Sequence, residues 1–165
     1  MEITQDQLRL PRPILRENLH ITLCFLGDIP LPLAEEVHHE LAALALPELD
    51  LRLSGLGMFG GSPARSIHAN VTPGPALTRM AAKVTQAARM AGATPERRRF
   101  VPHVTLARLT PGQTDQARLE RAVADQSRFA AGPFRVRDFV LYRSFRDRDG
   151  ARYEDLARYP LIPAP

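Results

Sequence analysis

Hydrophobic and polar positions alternate with period two over LDLRLSGL (49–56), the mark of a strand with one buried face. Similar patterns predict strands at 64–71 (ARSIHANV), 100–109 (FVPHVTLARL) and 134–145 (FRVRDFVLYRSF), with RDRDG (146–150) as a hairpin turn into ARYEDLARY. Residues 19–26, inside ENLHITLCFLG, read as a further strand. Helical spacing takes over at 30–46, where Leu33, Val37, Leu41 and Leu44 form an apolar stripe. It returns at 76–92, which stops at Gly92, and at about 114–127. GLGMFGGSP (55–63) reads as a loop between strands, and the proline-rich PLIPAP at the end is expected on the surface rather than in a strand. Strands and helices mixed with a hairpin predict an α+β protein with a mixed or antiparallel sheet.

Two of these strands carry the same unusual insertion. HITL at 20–23 and HVTL at 103–106 each place a histidine and a threonine two apart in an apolar run. Side chains of a strand alternate faces, so His20 and Thr22 would share one face, and His103 and Thr105 another such face, with Val104 and Leu106 behind. One strand histidine alone reads as a hydrogen-bonded structural residue. Two strands bearing the same polar pair can instead set two imidazoles across one cleft. His38 and His39 fall in a helix and His68 in an ordinary strand, so these three read as surface or packing residues.

Composition narrows the classes without choosing among them. The 165 residues suit one domain or two small lobes; 44% are hydrophobic and 24% charged, as in ordinary globular chains. No apolar run is long enough for a membrane span, and MEITQDQLRL is no secretory leader. The single cysteine, Cys24, forms no internal disulfide, which suits the cytoplasm. A net charge of +4 rests on arginine, with Lys83 the only lysine. Arginine's planar fork fits phosphate oxygens, although a GC-rich genome would produce the same bias.

Paired histidines suit the opening of a cyclic phosphodiester, since a neutral imidazole can take a proton from water while a charged one gives a proton to the departing oxygen. The threonines could hydrogen-bond the non-bridging oxygens, and Arg108, at the end of its strand, could neutralise phosphate. Alternatives fit less well. A catalytic zinc generally takes three protein ligands, and neither motif has a neighbouring Asp, Glu or second His at suitable spacing; Asp28 lies eight residues from His20. Ser54, Ser62 and Ser66 lack a nucleophile-elbow context, and no GxxxxGK[ST] loop occurs. Cys24 falls on the face of His20 by parity, but the second motif has no counterpart.

With these residues in view, the chain resembles the 2H phosphoesterase superfamily, and within it the RNA 2′,3′-cyclic phosphodiesterases, also called 2′-5′ RNA ligases. The resemblance is carried by ENLHITLCFLG, LSGLGMF, RFVPHVTLARL and LYRS. It implies an α+β, bilobal fold over residues 1–165, with two pseudo-symmetric lobes around a central cleft. Relative to the family pattern, only MEITQDQLRLPRPILR precedes ENLH, so an N-terminal strand–helix element is expected to be missing. The implied activity needs neither metal nor other cofactor. It hydrolyses RNA 2′,3′-cyclic phosphate ends to 2′-phosphate, with 2′-5′ ligation as the reverse. The resemblance makes His20 the proton donor and His103 the proton acceptor. Thr22, Thr105 and Arg108 would bind phosphate and Phe25 would stack on the terminal base, although parity alone would equally bury Phe25; Tyr142 and Arg143 are weaker contact candidates. The expected partner is an RNA or nucleotide with a cyclic phosphate end, met by a monomer in the cytoplasm away from membranes. Two other readings remain open: a cyclic phosphodiesterase acting on a small nucleotide or ADP-ribose derivative, and a non-catalytic RNA-end-binding module.

Overall fold

The computed structural model describes residue 10 and residues 13–72, 74–110, 115–147 and 150–163. The strands are β1 (Leu49–Phe59), β2 (Ser66–Val71), β3 (His103–Arg108), β4 (Ala130–Val136), β5 (Asp138–Asp147) and β6 (Gly150–Pro160). The helices are α1 (Leu31–Ala42), α2 (Pro75–Met90) and α3 (Gln116–Asp125). The class is α+β. The chain divides into two compact units, the first formed by Met1–Ile21, Leu51–Thr72 and Pro102–Pro133, the second by Thr22–Asp50, Pro73–Val101 and Phe134–Pro165.

The first unit is built on a sheet of order β3-β2-β1-β4, with β2 antiparallel to both β1 and β3. Ile67, Ala69 and Val71 of β2 and Val104, Leu106 and Ala107 of β3 are all buried, so the alternation in these segments does mark a core face. Gly55 sits at an irregularity of β1 with φ of +70°, a backbone region that favours glycine, and its N–H donates to the Phe129 carbonyl. β1 therefore runs on through GLGMF, and the loop expected at 55–63 is confined to its end. Asp115 caps α3 by accepting from the Arg118 N–H, and Leu119 and Val123, four apart, form the helix's buried stripe. Residue 114, where that helix was expected to begin, lies outside the described residues.

The second unit pairs α1 and α2 and carries the β5–β6 hairpin. Pro75 opens α2, where its missing N–H is no loss, and Leu77, Met80, Ala81, Val84, Ala87 and Ala88 line its inner face. At the other end Gly92, with φ of +95°, lets the Ala93 N–H reach back to the Ala88 carbonyl. The register of β5 and β6 runs from Asp138↔Pro160 to Asp147↔Gly150, so the hairpin forms where RDRDG indicated, with residues 148–149 outside the described set.

Three expectations are corrected. Residues 19–26 form no strand: a strand needs a neighbour to complete its ladder, and this stretch has none among the described residues. The single strand expected at 134–145 is two, parted at Arg137, because β4 belongs to the larger sheet and β5 to the hairpin. PLIPAP is not wholly superficial. Leu161 is buried, and Ile162 bridges Pro47 in parallel while its carbonyl accepts from the Glu48 N–H. His68, expected at the surface or in packing, is a packing residue: it is deeply buried in β2 against His103. Of the segment ahead of ENLH, only residue 10 and the stretch from Pro13 are described, so the expected missing element lies outside the described residues.

Candidate active site

The second motif provides the clearest polar face. On β3, His103 and Thr105 are half-buried while Val104 and Leu106 are buried behind them, as alternation requires. Strict alternation would turn Arg108, five residues on, to the apolar side. A bulge prevents this. Ser66 pairs with Arg108, Ile67 with Ala107 and His68 with Thr105, so Leu106 and Ala107 together oppose Ile67. Both bulged side chains are fully buried, and Arg108 returns to the face of His103 and Thr105, where it is exposed. The Leu106 carbonyl accepts from the Ile14 N–H at 2.8 Å.

The same register places groups that the motif did not announce. Directly paired residues share a face, so His68 and Asn70 of β2 lie beside Thr105 and His103, and Gly57 of β1 lies beside His68. The Phe59 ring stacks on His68, with centroids 4.0 Å apart and planes at 17°. His103 meets both rings edge-on, at 4.8 Å from Phe59 and 5.2 Å from His68. His68 is only 4% exposed, and its Nδ1 has no hydrogen-bond partner among the described residues. Such an orphan costs about 1–3 kcal/mol. Burial pushes the His68 pKa down to about 4, the neighbouring His103 acts in the same direction, and a hydrogen bond with Asn70 opposes them. His68 is therefore neutral at neutral pH.

The first motif is spread over both units. His20 is half-buried in the first unit, and its Nδ1 donates to the Asn18 carbonyl at 2.8 Å. A carbonyl can only accept, so Nδ1 keeps its hydrogen and Nε2 is the nitrogen at which the ring gains or loses a proton. Thr22 and Phe25 belong to the second unit and are not buried; Phe25 is 59% exposed, which removes its core reading. With no strand here, the parity that joined Cys24 to His20 has no basis. Burial raises the Cys24 thiol pKa, opposed by a hydrogen bond with Thr85 and the charge of Arg89, so the group is a thiol at neutral pH and a poor nucleophile.

The remaining candidates have local partners. His38 Nδ1 is hydrogen-bonded to the Tyr159 hydroxyl at 2.8 Å, a packing role as expected. Tyr142 lies edge-on to Tyr153, and the Arg143 guanidinium sits over the Phe145 ring at 4.9 Å. Among the described residues no three His, Cys, Asp or Glu side chains group as metal ligands, and no helix is long and apolar enough to cross a membrane.

Comparison with known proteins gives this arrangement a lineage. The pattern described as the 2′-5′ RNA ligase superfamily matches residues 2–148. The RNA 2′,3′-cyclic phosphodiesterase of Aeropyrum pernix is 32% identical over 142 residues, covering 85% of this chain and 80% of that protein. The enzyme of the same name from Geobacillus stearothermophilus is 36% identical over 154 residues, which is 90% of this chain but 47% of the relative, so the chain spans about half of that protein's length. Among solved structures, Escherichia coli LigT complexed with 3′-AMP superposes with a TM-score of 0.73 at 24% identity, over 98% of this chain and 92% of LigT. A protein from Thermus thermophilus does so at 0.69 and 23%, over 96% and 91%. The double-histidine resemblance and these matches agree: the chain belongs to the 2′-5′ RNA ligase superfamily of 2H phosphoesterases.

Proposed function

We propose that the protein hydrolyses RNA 2′,3′-cyclic phosphate ends to 2′-phosphates through paired histidine acid–base catalysis, and that it catalyses 2′-5′ ligation in reverse. The observation that carries this reading is the polar face of β3, where a base, a hydroxyl donor and a cation (His103, Thr105 and Arg108) stand on one side of one strand. Relatives named RNA 2′,3′-cyclic phosphodiesterase, at 32% and 36% identity, support the substrate class.

In the forward reaction His103 takes a proton from water as its oxygen attacks phosphorus. The bond from phosphorus to the 3′-oxygen breaks, and His20, charged at the start, supplies the proton that this oxygen needs. The hydrogen bond from Nδ1 to Asn18 makes Nε2 the donor of that proton. Thr105 and Thr22 donate to the non-bridging oxygens, Arg108 neutralises the phosphate, and Phe25 offers its exposed ring to the terminal base. The two compact units serve as the lobes of one domain over residues 1–165. The protein works as a monomer in the cytoplasm.

The test is an oligonucleotide with a cyclic phosphate end, followed by mass spectrometry. The wild type should add one water and leave a 2′-phosphate, and His103→Ala should leave the substrate intact. A mononucleotide 2′,3′-cyclic phosphate assayed alongside separates an RNA enzyme from one acting on small nucleotides. Binding without turnover, unaltered by His103→Ala, would overturn the catalytic reading.

Two further results are expected. Proton transfer from water to one imidazole and from the other to the leaving oxygen needs no Lewis acid, so dialysis against EDTA should leave the hydrolysis rate unchanged. Arg108→Ala should lower kcat/KM about 10–100-fold, the range for a hydrogen-bonded charged group. It should also flatten the salt dependence of RNA binding measured by fluorescence anisotropy.

A further inference from the structure

His68 occupies space that the rest of the site is shaped to give it. A Cβ on Gly57 would stand 2.6 Å from the His68 Nε2 and 3.2 Å from the Asn70 Oδ1, so the ring lies over the bare backbone of β1. Phe59 covers one face of it at 4.0 Å. The His103 ring meets it at 65°, with centroids 5.2 Å apart. The His68 Nδ1 is buried without a hydrogen-bond partner among the described residues, a cost that an apolar side chain would not carry.

His103 is half-buried, and rotation of an imidazole about its second side-chain torsion is soft, so the rings packed against it help to set its plane. Two rings that meet it edge-on from β1 and β2 restrict that rotation. We propose that His68 is a positioning residue for the general base: together with Phe59 it fixes the plane of the His103 ring, and so the nitrogen presented to the attacking water. This rests on reading His103 as the proton acceptor. The groups packed around His68 are His103 and Thr105 from β3, Gly57 and Phe59 from β1, and Asn70 from β2, and of these His103 is the titratable one. A neutral wall serves the step better than a charged one, because His103 becomes an imidazolium when it takes the proton and a second cation beside it would oppose that change.

The experiment combines kinetics with NMR of the full chain carrying labelled histidine and phenylalanine. His68→Ala should lower kcat about tenfold or more while KM stays within about twofold, as expected when a reacting group is misaimed but substrate binding is kept. His68→Phe, which restores a ring, should recover most of that loss. Gly57→Ala should reproduce the His68→Ala pattern with His68 still present, because the added methyl displaces the ring. Nuclear Overhauser contacts between the His103 and Phe59 rings should be present in the wild type and weaken in His68→Ala. A folded His68→Ala with wild-type kcat, or with unchanged His103 contacts, would overturn the proposal, as would equal losses in His68→Phe and His68→Ala. If the wild type turns over no cyclic phosphate, the acid–base reading fails. The ring contacts then decide separately whether His68 orients His103.

Discussion

His20→Ala and His103→Ala are each expected to lower kcat for cyclic phosphate hydrolysis about 10²–10⁴-fold, the contribution of a positioned acid or base. The two losses arise at opposite ends of the reaction. Without His103, water attacks with its proton still attached; without His20, the 3′-oxygen departs as an alkoxide. Because the step needs both groups at once, the double variant should be scarcely slower than the worse single one, unlike two independent losses. The pH profile of the wild type should rise and fall, since one imidazole must be neutral while the other is charged. Each single variant should lose one limb of that bell. The measurement is a steady-state assay on a cyclic-ended oligonucleotide from acid to alkaline pH, and a profile flat across the ordinary imidazole range would end the assignment.

The second large effect concerns stability rather than rate. His68 has an ordinary pKa of 6.5 when unfolded and about 4 when folded, chiefly because it is buried. Above 6.5 neither state carries the proton, and the fold keeps its full stability. As pH falls below 6.5 the unfolded chain binds a proton that the folded chain refuses, so acid favours unfolding. Below about 4 both states are protonated and the loss levels off. Integrated over that window, the single group removes about 3 kcal/mol of folding stability. Urea unfolding at successive pH values should show this loss in the wild type, added to whatever the carboxylates contribute. His68→Phe should lack it, so the difference between the two proteins should grow between pH 6.5 and 4 and then stay constant. Parallel curves would mean that His68 titrates alike in both states.

Much of the site was legible in the residue order, but unevenly. HVTLAR announced a strand with histidine and threonine on one side, and β3 has that form. Arg108 was marked as a phosphate ligand, yet alternation alone would have turned it away; a bulge at Leu106 and Ala107 brings it back, and that bulge exists only in the pairing with β2. His68 shows the same limit from the other side. Its alternation with Ile67 and Ala69 was visible and predicted its strand. Its neighbours across the sheet were not, so residue order shows a surface or packing histidine but not its contact with His103. The one clue in the sequence was the glycine at 57, whose missing side chain is needed only once β2 lies alongside.

HITLCFLG carries the opposite lesson. Its pattern is as strand-like as that of the second motif, yet residues 19–26 have no ladder among the described residues. A period of two records which side chains would share a face if the backbone were extended, because that periodicity belongs to the single chain. Whether the backbone is extended depends on a second strand to take its N–H and C=O groups, and those partners come from far along the chain. The double His-x-Thr motif, the helices with their proline starts and glycine stop, and the chemistry open to paired imidazoles were therefore all readable from residue order. Register, the bulge that turns Arg108, the burial of His68 and the lost strand at the first motif followed from which segments came to lie side by side.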